Sequence, residues 1–529
     1  MCGKHITTVL IISGVISCFG QQSGPIVNIQ GLGGVLGSVG YTAWTNRTIY
    51  EFHGIPYGQA PVGALRFKPT VKVSAWGGTR DATQPGTRCP QIDVNYVNVE
   101  NEDCLTLSVY SNSLDADRPV MVYIHGGWFF LGGADQYKPN FLLESNIVLV
   151  VIQYRLGPLG FLSTMSDDIP GNVGMLDVIT AVYWRAIMQS GSVFAPWVVS
   201  DTPLEGTNDI AARLGCTGAA VEQCLRGVSI QNLLEAFSAH RSQTIANSGY
   251  PYVAGTGIVV GGPSSFLPQH PKNYLGNSQK NIAIMAGTNA QDGLFLLNEL
   301  HKLQPQLLQT LNTSHALLHY VHILHEKFGH SKFDGSLEAY AFQHNFLMSE
   351  MDRLRWEDLA SSLTDICGTH GIKGPVLADV QSFSNANPGN VYLYSFDYSS
   401  ALTQRNLTVP YPHERPVHHA EELKYLFPIE NLDEADVRMA KAMVQLWTSF
   451  AIGGVPVADS IAHWPPMDRM FGPYLKITTE SKQQNFYLNE FSATADKNRG
   501  FGGAGSRVTA SVGSIVTVLI VGIVASLRR

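Results

Sequence analysis

The stretch Val120–Gly133, VMVYIHGGWFFLGG, joins a short apolar run directly to a glycine-rich turn. Five apolar residues in succession are typical of a strand that is buried on both faces of a sheet. A His-Gly-Gly turn at the end of such a strand lets bare backbone N–H groups point into a cavity, where they could stabilise a developing oxyanion. A plain tight turn after a strand is the alternative interpretation of the same letters.

Similar apolar runs recur along the chain and predict further buried strands: LTLSVY from Leu105, IVLVVI from Ile147, IAIM from Ile282 and VYLYSF from Val391. Helical patterns separate these runs. Alternation of strands with helices predicts an α/β fold with a mostly parallel central sheet and helices on both faces. One large domain over residues 24–490 is the simplest account.

The clearest helical pattern is ADVRMAKAMVQLWTSFAIGG, which predicts a helix that stops at Gly453. Its apolar stripe consists of Val437, Ala440, Val444, Trp447 and Ala451.

Composition excludes some classes of function. Of 529 residues, 45% are hydrophobic and only 15% are charged, which is enough for a large core and argues against disorder. The formal net charge of −7 offers no basic face, so nucleic acid is not an expected partner.

Both ends of the chain differ from its body. Residues 1–20 place Lys4 before an apolar run that ends in small residues, the pattern of a secretory signal peptide; a membrane anchor is the alternative. After a linker at 491–507, the uncharged segment 508–527 is either a GPI-anchor signal or a single transmembrane helix. The anchor signal is favoured because almost nothing follows the tail. We therefore expect an extracellular protein, membrane-anchored at its C-terminus.

Export makes the cysteines interpretable. Two local disulfides are the natural pairing, Cys89 with Cys104 and Cys216 with Cys224, which leaves Cys367 as a buried free thiol. The glycosylation sequons are at Asn46, Asn312 and Asn406.

Several motifs together resemble the type-B carboxylesterase family, relatives of the cholinesterases. They are FHGIPYGQAPVGALRFKP, NEDCLTLSVYSN, the His-Gly-Gly loop, YRLGPLGFLS, PGNVGMLD, RAIMQSGS, GTNAQDG, HHAEELKYLF and LWTSFAIGG, in the family's order over nearly the whole domain. The resemblance implies an α/β-hydrolase fold and hydrolysis of carboxylic esters by a Ser-Asp/Glu-His triad, with no metal and no cofactor.

By this resemblance Gly126 and Gly127 match the oxyanion-hole glycines, and Trp128 occupies the usual third glycine position. Its backbone N–H could still donate, whereas its side chain would narrow the acyl pocket. Asp292 in GTNAQDG matches the triad acid, and His419 in VHHAEEL matches the base that takes and returns the proton.

Other matches are structural in the family. Arg66, Glu102, Arg155 and Asp177 resemble its ion pairs, and the two cysteine pairs match two of its disulfides. His418 is interpreted as a neighbour without a chemical role. The loop between Cys89 and Cys104 has no tryptophan, so choline esters are not expected substrates. Three aromatic residues, Trp128, Phe129 and Phe130, favour a small apolar carboxylic ester.

The stretch Leu176–Trp197, LDVITAVYWRAIMQSGSVFAPW, departs from the family. Family sequences continue after the first half into the strand, nucleophile and helix of a G-x-S-x-G elbow. That segment, on the order of 40 residues, is absent between Trp184 and Arg185. No serine in the chain has glycines two positions before and after it. The loss would also remove a strand from the middle of the sheet, so that its neighbours would have to close up or leave the core open.

Three hypotheses follow. The leading one is a secreted or anchored carboxylesterase whose present chain lacks its nucleophile, through exon skipping or a faulty gene model, and is therefore inactive. The second is a non-catalytic adhesion or binding protein of the cholinesterase-like type. The third is a hydrolase with a substitute nucleophile, either Ser190 in MQSGS or Ser278 in GNSQK.

Overall fold

The fold is described by a computed structural model, in which the described residues are 24–93, 96–98, 101–115, 117–180, 185–200, 202–248, 257–263, 266–274, 282–303, 356–403, 407–412, 414–428, 432–468 and 470–491. The predicted signal peptide, the linker beyond Phe491, the apolar tail, Asn312, Asn406 and Ser278 lie outside these residues. Within them, no helix has the length and apolar character needed to cross a membrane.

The strands range in length from two to nine residues, and the longest is Thr48–Pro56. They are β1 Ile26–Ile29, β2 Gly33–Leu36, β3 Ser38–Tyr41, β4 Thr48–Pro56, β5 Thr79–Asp81, β6 Gln91–Asp93, β7 Tyr96–Asn98, β8 Thr106–Ser111, β9 Val120–Ile124, β10 Val148–Ile152, β11 Arg185–Gln189, β12 Val199–Ser200, β13 Ile258–Val259, β14 Ala283–Asn289, β15 Val391–Phe396, β16 Tyr474–Ile477 and β17 Lys482–Gln484.

Helices occupy the connections between these strands. They are α1 Gly157–Phe161, α2 Val173–Ile179, α3 Pro203–Arg213, α4 Val221–Gly227, α5 Ile230–Ser248, α6 Leu294–Leu303, α7 Trp356–Gly368, α8 Gly374–Ala386 and α9 Glu434–Gly453, with a π-helical turn at Thr369–Lys373 between α7 and α8.

The strands form two separate five-stranded sheets. The first has the order β3-β4-β8-β10-β9 and is antiparallel except for the β10–β9 pair, in which Val148 lies opposite Val120. The second has the order β11-β14-β15-β16-β17 and is parallel except for β17. The predicted mostly parallel sheet therefore holds for the second sheet only. Short connections such as the turn between β3 and β4 leave no room for the crossover that parallel pairing requires.

A cavity lies between the two sheets. Its volume is about 1110 Å³, and its walls include the whole of β9 together with Ile187 and Gln189 of β11. We call this cavity the slot. Among the described residues β9 and β11 are each the last strand of a sheet, with no strand between them. The strand β9 was expected to be buried on both faces, but Val120 is 60% exposed and Ile124 38% exposed, because the slot lies beside it.

The helix α9 anchors the core between the sheets. Asp433 caps its start by accepting hydrogen bonds from the backbone N–H groups of Ala435 and Asp436, both at 2.8 Å. Trp447 is fully buried within the largest apolar cluster. The helix ends at Gly453, the residue predicted as its stop, and Gly454 caps it with a left-handed φ of 78°.

The predicted cysteine pairing is confirmed. Disulfides join Cys89 to Cys104 and Cys216 to Cys224, with Cα–Cα distances of 5.0 and 5.5 Å. Cys367 is a buried free thiol, and burial raises its pKa to about 12.

The predicted ion pairs are also present. Arg66 donates from Nε to Glu102 Oε1 at 2.9 Å, and Arg155 donates from Nη2 to Asp177 Oδ1 at 2.8 Å. Burial raises the pKa of Glu102 even though Arg66 acts in the opposite direction. Both pairs tie loops together outside the slot.

Candidate active site

Asp292 is held at the carboxyl end of β14 in a turn that begins at Asn289. Its side chain is fully buried, and the backbone N–H of Asn289 donates to Oδ2 at 2.7 Å. The hydroxyl of Ser190, which directly follows β11, also donates to Oδ2 at 2.7 Å. These two donors fix the carboxylate and leave Oδ1 to accept from a third group.

That third group is His419. Its Nδ1 lies 2.9 Å from Asp292 Oδ1, so the carboxylate accepts the Nδ1 proton and Nε2 becomes the nitrogen available for proton exchange. Burial lowers the pKa of His419, but the hydrogen bond and charge of Asp292 outweigh burial, and the net result is a raised pKa. The side chain is 30% exposed and lines the slot. The two residues predicted as acid and base are thus brought together.

The His-Gly-Gly loop forms the opposite wall of the slot, where Gly126, Gly127 and Trp128 all lie. Gly127 has a φ of 121°, and a Cβ there would sit 2.0 Å from the carbonyl oxygen of Leu131, so glycine is required. Trp128 follows with a φ of 52°, the left-handed conformation that a third glycine would adopt without strain. The loop therefore requires glycine at Gly127 and holds Trp128 in a conformation that usually favours glycine.

Trp128 belongs to a stack of three rings. It stacks on Phe295, with ring centroids 5.3 Å apart, and Phe295 stacks on His419 at 4.2 Å. Phe129 and Phe130, by contrast, do not line the slot as predicted. Phe129 packs on Phe161 in the core, and Phe130 lies under the guanidinium group of Arg241 at 3.7 Å. Of the three aromatic residues that follow Gly127, Trp128 is the one that lines the slot.

A second buried carboxyl group, Glu422, lies beside the pair. It accepts from Gln189 Nε2 at 3.1 Å and from Asn289 Nδ2 at 2.6 Å. Burial is the largest influence on its pKa, which is raised. Sequence reasoning did not single out Glu422. Its position three residues after His419 was the available signal, because that spacing in a turn keeps two side chains close.

Ser190 has a left-handed φ of 49° and is only 7% exposed. Its hydroxyl donates to the acid and not to the base, which gives it no general base for activation as a nucleophile. Among the described residues, no serine hydroxyl is hydrogen bonded to the ring of His419. This contact is that of a residue that supports Asp292, and it differs from the contact that a substitute nucleophile at Ser190 would need.

His418 turns toward other partners. Its Nε2 lies 3.2 Å from Glu421 Oε1, and Glu421 also pairs with Lys424 at 2.6 Å. Burial is the main cause of its lowered pKa. Its interpretation as a neighbour without chemistry stays a prediction.

The fold is that of an α/β hydrolase, and it places the hydrogen-bonded Asp292 and His419 beside the His-Gly-Gly loop. The family model described as "Carboxylesterase family" matches residues 23–184 and 185–494. The chain therefore belongs to the carboxylesterase family, whose fold is the α/β hydrolase and whose substrates are esters.

Individual relatives agree with this assignment. The chain is 27% identical to Esterase FE4 of Myzus persicae over 94% of its own length and 96% of that protein. It is 26% identical to Cocaine esterase of Homo sapiens, over 85% and 87% of the two chains. It is 25% identical to Glutactin of Drosophila melanogaster over 88% of its length, but spans only half of that protein.

Proposed function

We propose that this protein is a serine carboxylesterase in a form that lacks the nucleophile segment between Trp184 and Arg185, and that this form does not hydrolyse esters. In a form that carries the segment, His419 is the general base, Asp292 orients it, and the backbone of Gly126, Gly127 and Trp128 stabilises the oxyanion. The observation that carries the proposal is an oriented Asp292–His419 pair facing a slot to which no described serine contributes a hydroxyl for the base.

Two independent features support a lost segment at this junction. The family match divides between residues 184 and 185, at the same junction where the family motifs break off and resume. The sheets also end at β9 and β11, which come before and after the junction in the chain and face each other across the slot. One excised strand accounts for both features.

The substrate we propose is a small apolar carboxylic ester, because Trp128 and Phe295 form an aromatic wall beside the oxyanion loop. We further propose an exported, glycosylated protein with a C-terminal membrane anchor. Asn46 supports the glycan, since its side chain is exposed in a turn between two strands. The disulfides Cys89–Cys104 and Cys216–Cys224 support an oxidising compartment.

The proposal is tested by sequencing transcripts across the codons for Trp184 and Arg185 and by expressing each form. A longer transcript should encode a G-x-S-x-G motif, and its product should hydrolyse p-nitrophenyl butyrate while the short form stays at background. Hydrolysis by the purified short form at the rate of the longer one would overturn the proposal.

Within the longer form, His419→Gln should lower kcat by roughly a thousandfold or more, because removing a triad member eliminates proton transfer. The matched control is His418→Gln, which alters the adjacent histidine and should change kcat by no more than a few-fold. Equal losses for the two variants would contradict the assignment of the base.

A second candidate function is a non-catalytic binding protein. In the present form, the buried hydroxyl of Ser190 favours this second candidate. The hydroxyl donates to Asp292, so it does not supply His419 with a nucleophile. If only the short transcript exists, this candidate replaces the first.

A further inference from the structure

The slot has a hydrogen-bonding edge on each side. The strand β9 pairs with β10 alone, and β11 pairs with β14 alone, among the residues that the structure describes. The outer edge of each strand therefore presents backbone N–H and C=O groups toward the cavity. Such groups are costly to leave without partners when they are shielded from water.

The two edges carry little of the protection that natural edge strands have. Val120–Ile124 contains no charged residue, and the one charged residue of β11 is Arg185 at its start. Natural proteins guard open edges with lysine, proline or a bulge, because a bare apolar edge is a template for another strand. These two edges are regular over five paired residues each.

The length of the slot suits a single strand. Five extended residues span roughly 17 Å, and the cavity follows β9 along its whole length from Pro119 to Ile124. Its chemistry changes along that length. Val120, Ala283 and Val455 line one end, while Gln189, His419 and Glu422 line the end near the acid–base pair.

These features select the occupant. A slot bounded by an edge on both sides needs a segment with two free edges, and the edge strand of a second folded copy has only one. The uncharged walls along both strands disfavour a charged segment, because burying an unpaired charge is expensive. A single extended apolar segment meets both conditions, because it has two free edges and no charge. A polar residue at one end of the segment suits the polar end of the slot.

We propose that the slot is a strand-acceptor site, which takes an extended, uncharged peptide segment of another polypeptide and pairs it with β9 on one side and β11 on the other. Backbone hydrogen bonds supply the affinity, and the apolar walls select the side chains. This inference goes beyond the proposed function and concerns the short form as it stands. Its test does not depend on whether a longer, active form exists.

The test uses the full short chain and a fluorescein-labelled, capped peptide of alternating valine and isoleucine that ends in Gly-Ser. We expect saturable binding by fluorescence anisotropy. Hydrogen exchange should show that the peptide protects the amides of Val120–Ile124 and of Arg185–Gln189 together. Protection of one strand alone, or no saturable binding by a folded sample, would overturn the proposal.

Two controls separate strand pairing from general apolar binding. The same peptide with alternate N-methyl groups keeps its side chains but loses backbone donors, and we expect it to bind at least about tenfold more weakly. Equal binding of the methylated peptide would show an apolar pocket and overturn the proposal.

The protein variants test the location of the site. Val120→Arg places a charge at the exposed start of β9 and should weaken binding at least about tenfold. Val39→Arg is the matched control, because Val39 is 47% exposed on β3, the far edge of the same sheet. Equal binding by the two variants, with unchanged melting temperatures, would place the peptide elsewhere.

Discussion

Asp292 is the residue on which the candidate site depends, because three donors from separate parts of the chain converge on its carboxylate. Asn289 and Ser190 bind Oδ2, and His419 binds Oδ1. A fully buried carboxyl group needs hydrogen-bond donors of this kind, because leaving its oxygens without partners is costly. Its negative charge in turn sets the protonation of the imidazole.

The first prediction concerns this coupling. Asp292→Asn should lower the pKa of His419 from above its usual value to below it, because burial still acts and the neighbouring charge is gone. The measurement is an NMR titration of the His419 ring. Ser190→Ala, which keeps the carboxylate, should shift the pKa much less. An unchanged pKa in the Asn variant would contradict the coupling.

The second prediction concerns His125, which lies in the oxyanion loop and is 1% exposed. Its Nδ1 lies 2.9 Å from the carbonyl oxygen of Gly126, and burial is the main cause that lowers its pKa to about 4. The folded-state pKa lies below the unfolded value of 6.5, so stability is present above pH 6.5 and is lost as pH falls toward 4.

Protonation of His125 should therefore lower the free energy of unfolding by up to roughly 3 kcal/mol below pH 4. The variant His125→Asn should lack this part of the pH dependence. Urea unfolding at several pH values between 7 and 4 measures this change in the free energy of unfolding. The exposed His463→Asn is the control. An identical slope in the wild type and His125→Asn would refute this role.

Some residue-level contacts could be predicted and others could not. The pairing of Asp292 with His419 followed from the family motifs that contain them. The stack of Trp128 on Phe295 and the bond from Ser190 to Asp292 could not be predicted, because they depend on the packing of segments more than a hundred residues apart in the chain.

At the scale of elements, local patterns predicted well where burial is uniform. The run VYLYSF forms β15 over the expected residues, and all six of its residues are buried. The strand β9 shows the limit of such patterns. Its sequence is that of a buried strand, but among the described residues it has a neighbouring strand on one side only. This position at the edge of the sheet decides how exposed its residues are.

The third prediction concerns the start of α9. Asp433→Ala removes the acceptor for two backbone N–H groups, and it should lower the free energy of unfolding by about 1 kcal/mol. Asp433→Asn should retain most of the stabilisation that the cap provides. Chemical denaturation measures both variants, and equal losses for alanine and asparagine would show that the cap is not the cause.

The fourth prediction compares the disulfides. Cys89 and Cys104 are 15 residues apart, and their removal as a double serine variant should cost about 3 kcal/mol. Cys216 and Cys224 are 8 apart, and their removal should cost slightly less, roughly 2.5 kcal/mol. Urea unfolding of both variants tests the order, and a larger loss for the shorter loop would contradict it.

At the scale of the whole molecule, the division into two sheets is the feature that links sequence, structure and activity. Each sheet has its own packed strands, and α9 with its apolar cluster spans the region between them. The slot of about 1110 Å³ lies between these two sheets, and we attribute it to the segment that we propose is missing at the junction of Trp184 and Arg185. Periodicity could not predict this division, since it reports on single elements and not on which strands become neighbours.

We propose that this chain assembles the acid, the base and the oxyanion-hole glycines without a nucleophile. The most direct test is to incubate the purified, folded short form with a fluorophosphonate probe and to measure its intact mass and peptide masses. We predict no covalent adduct at Ser190 or at any other serine. A stoichiometric adduct on a serine, lost in His419→Gln, would contradict the claim.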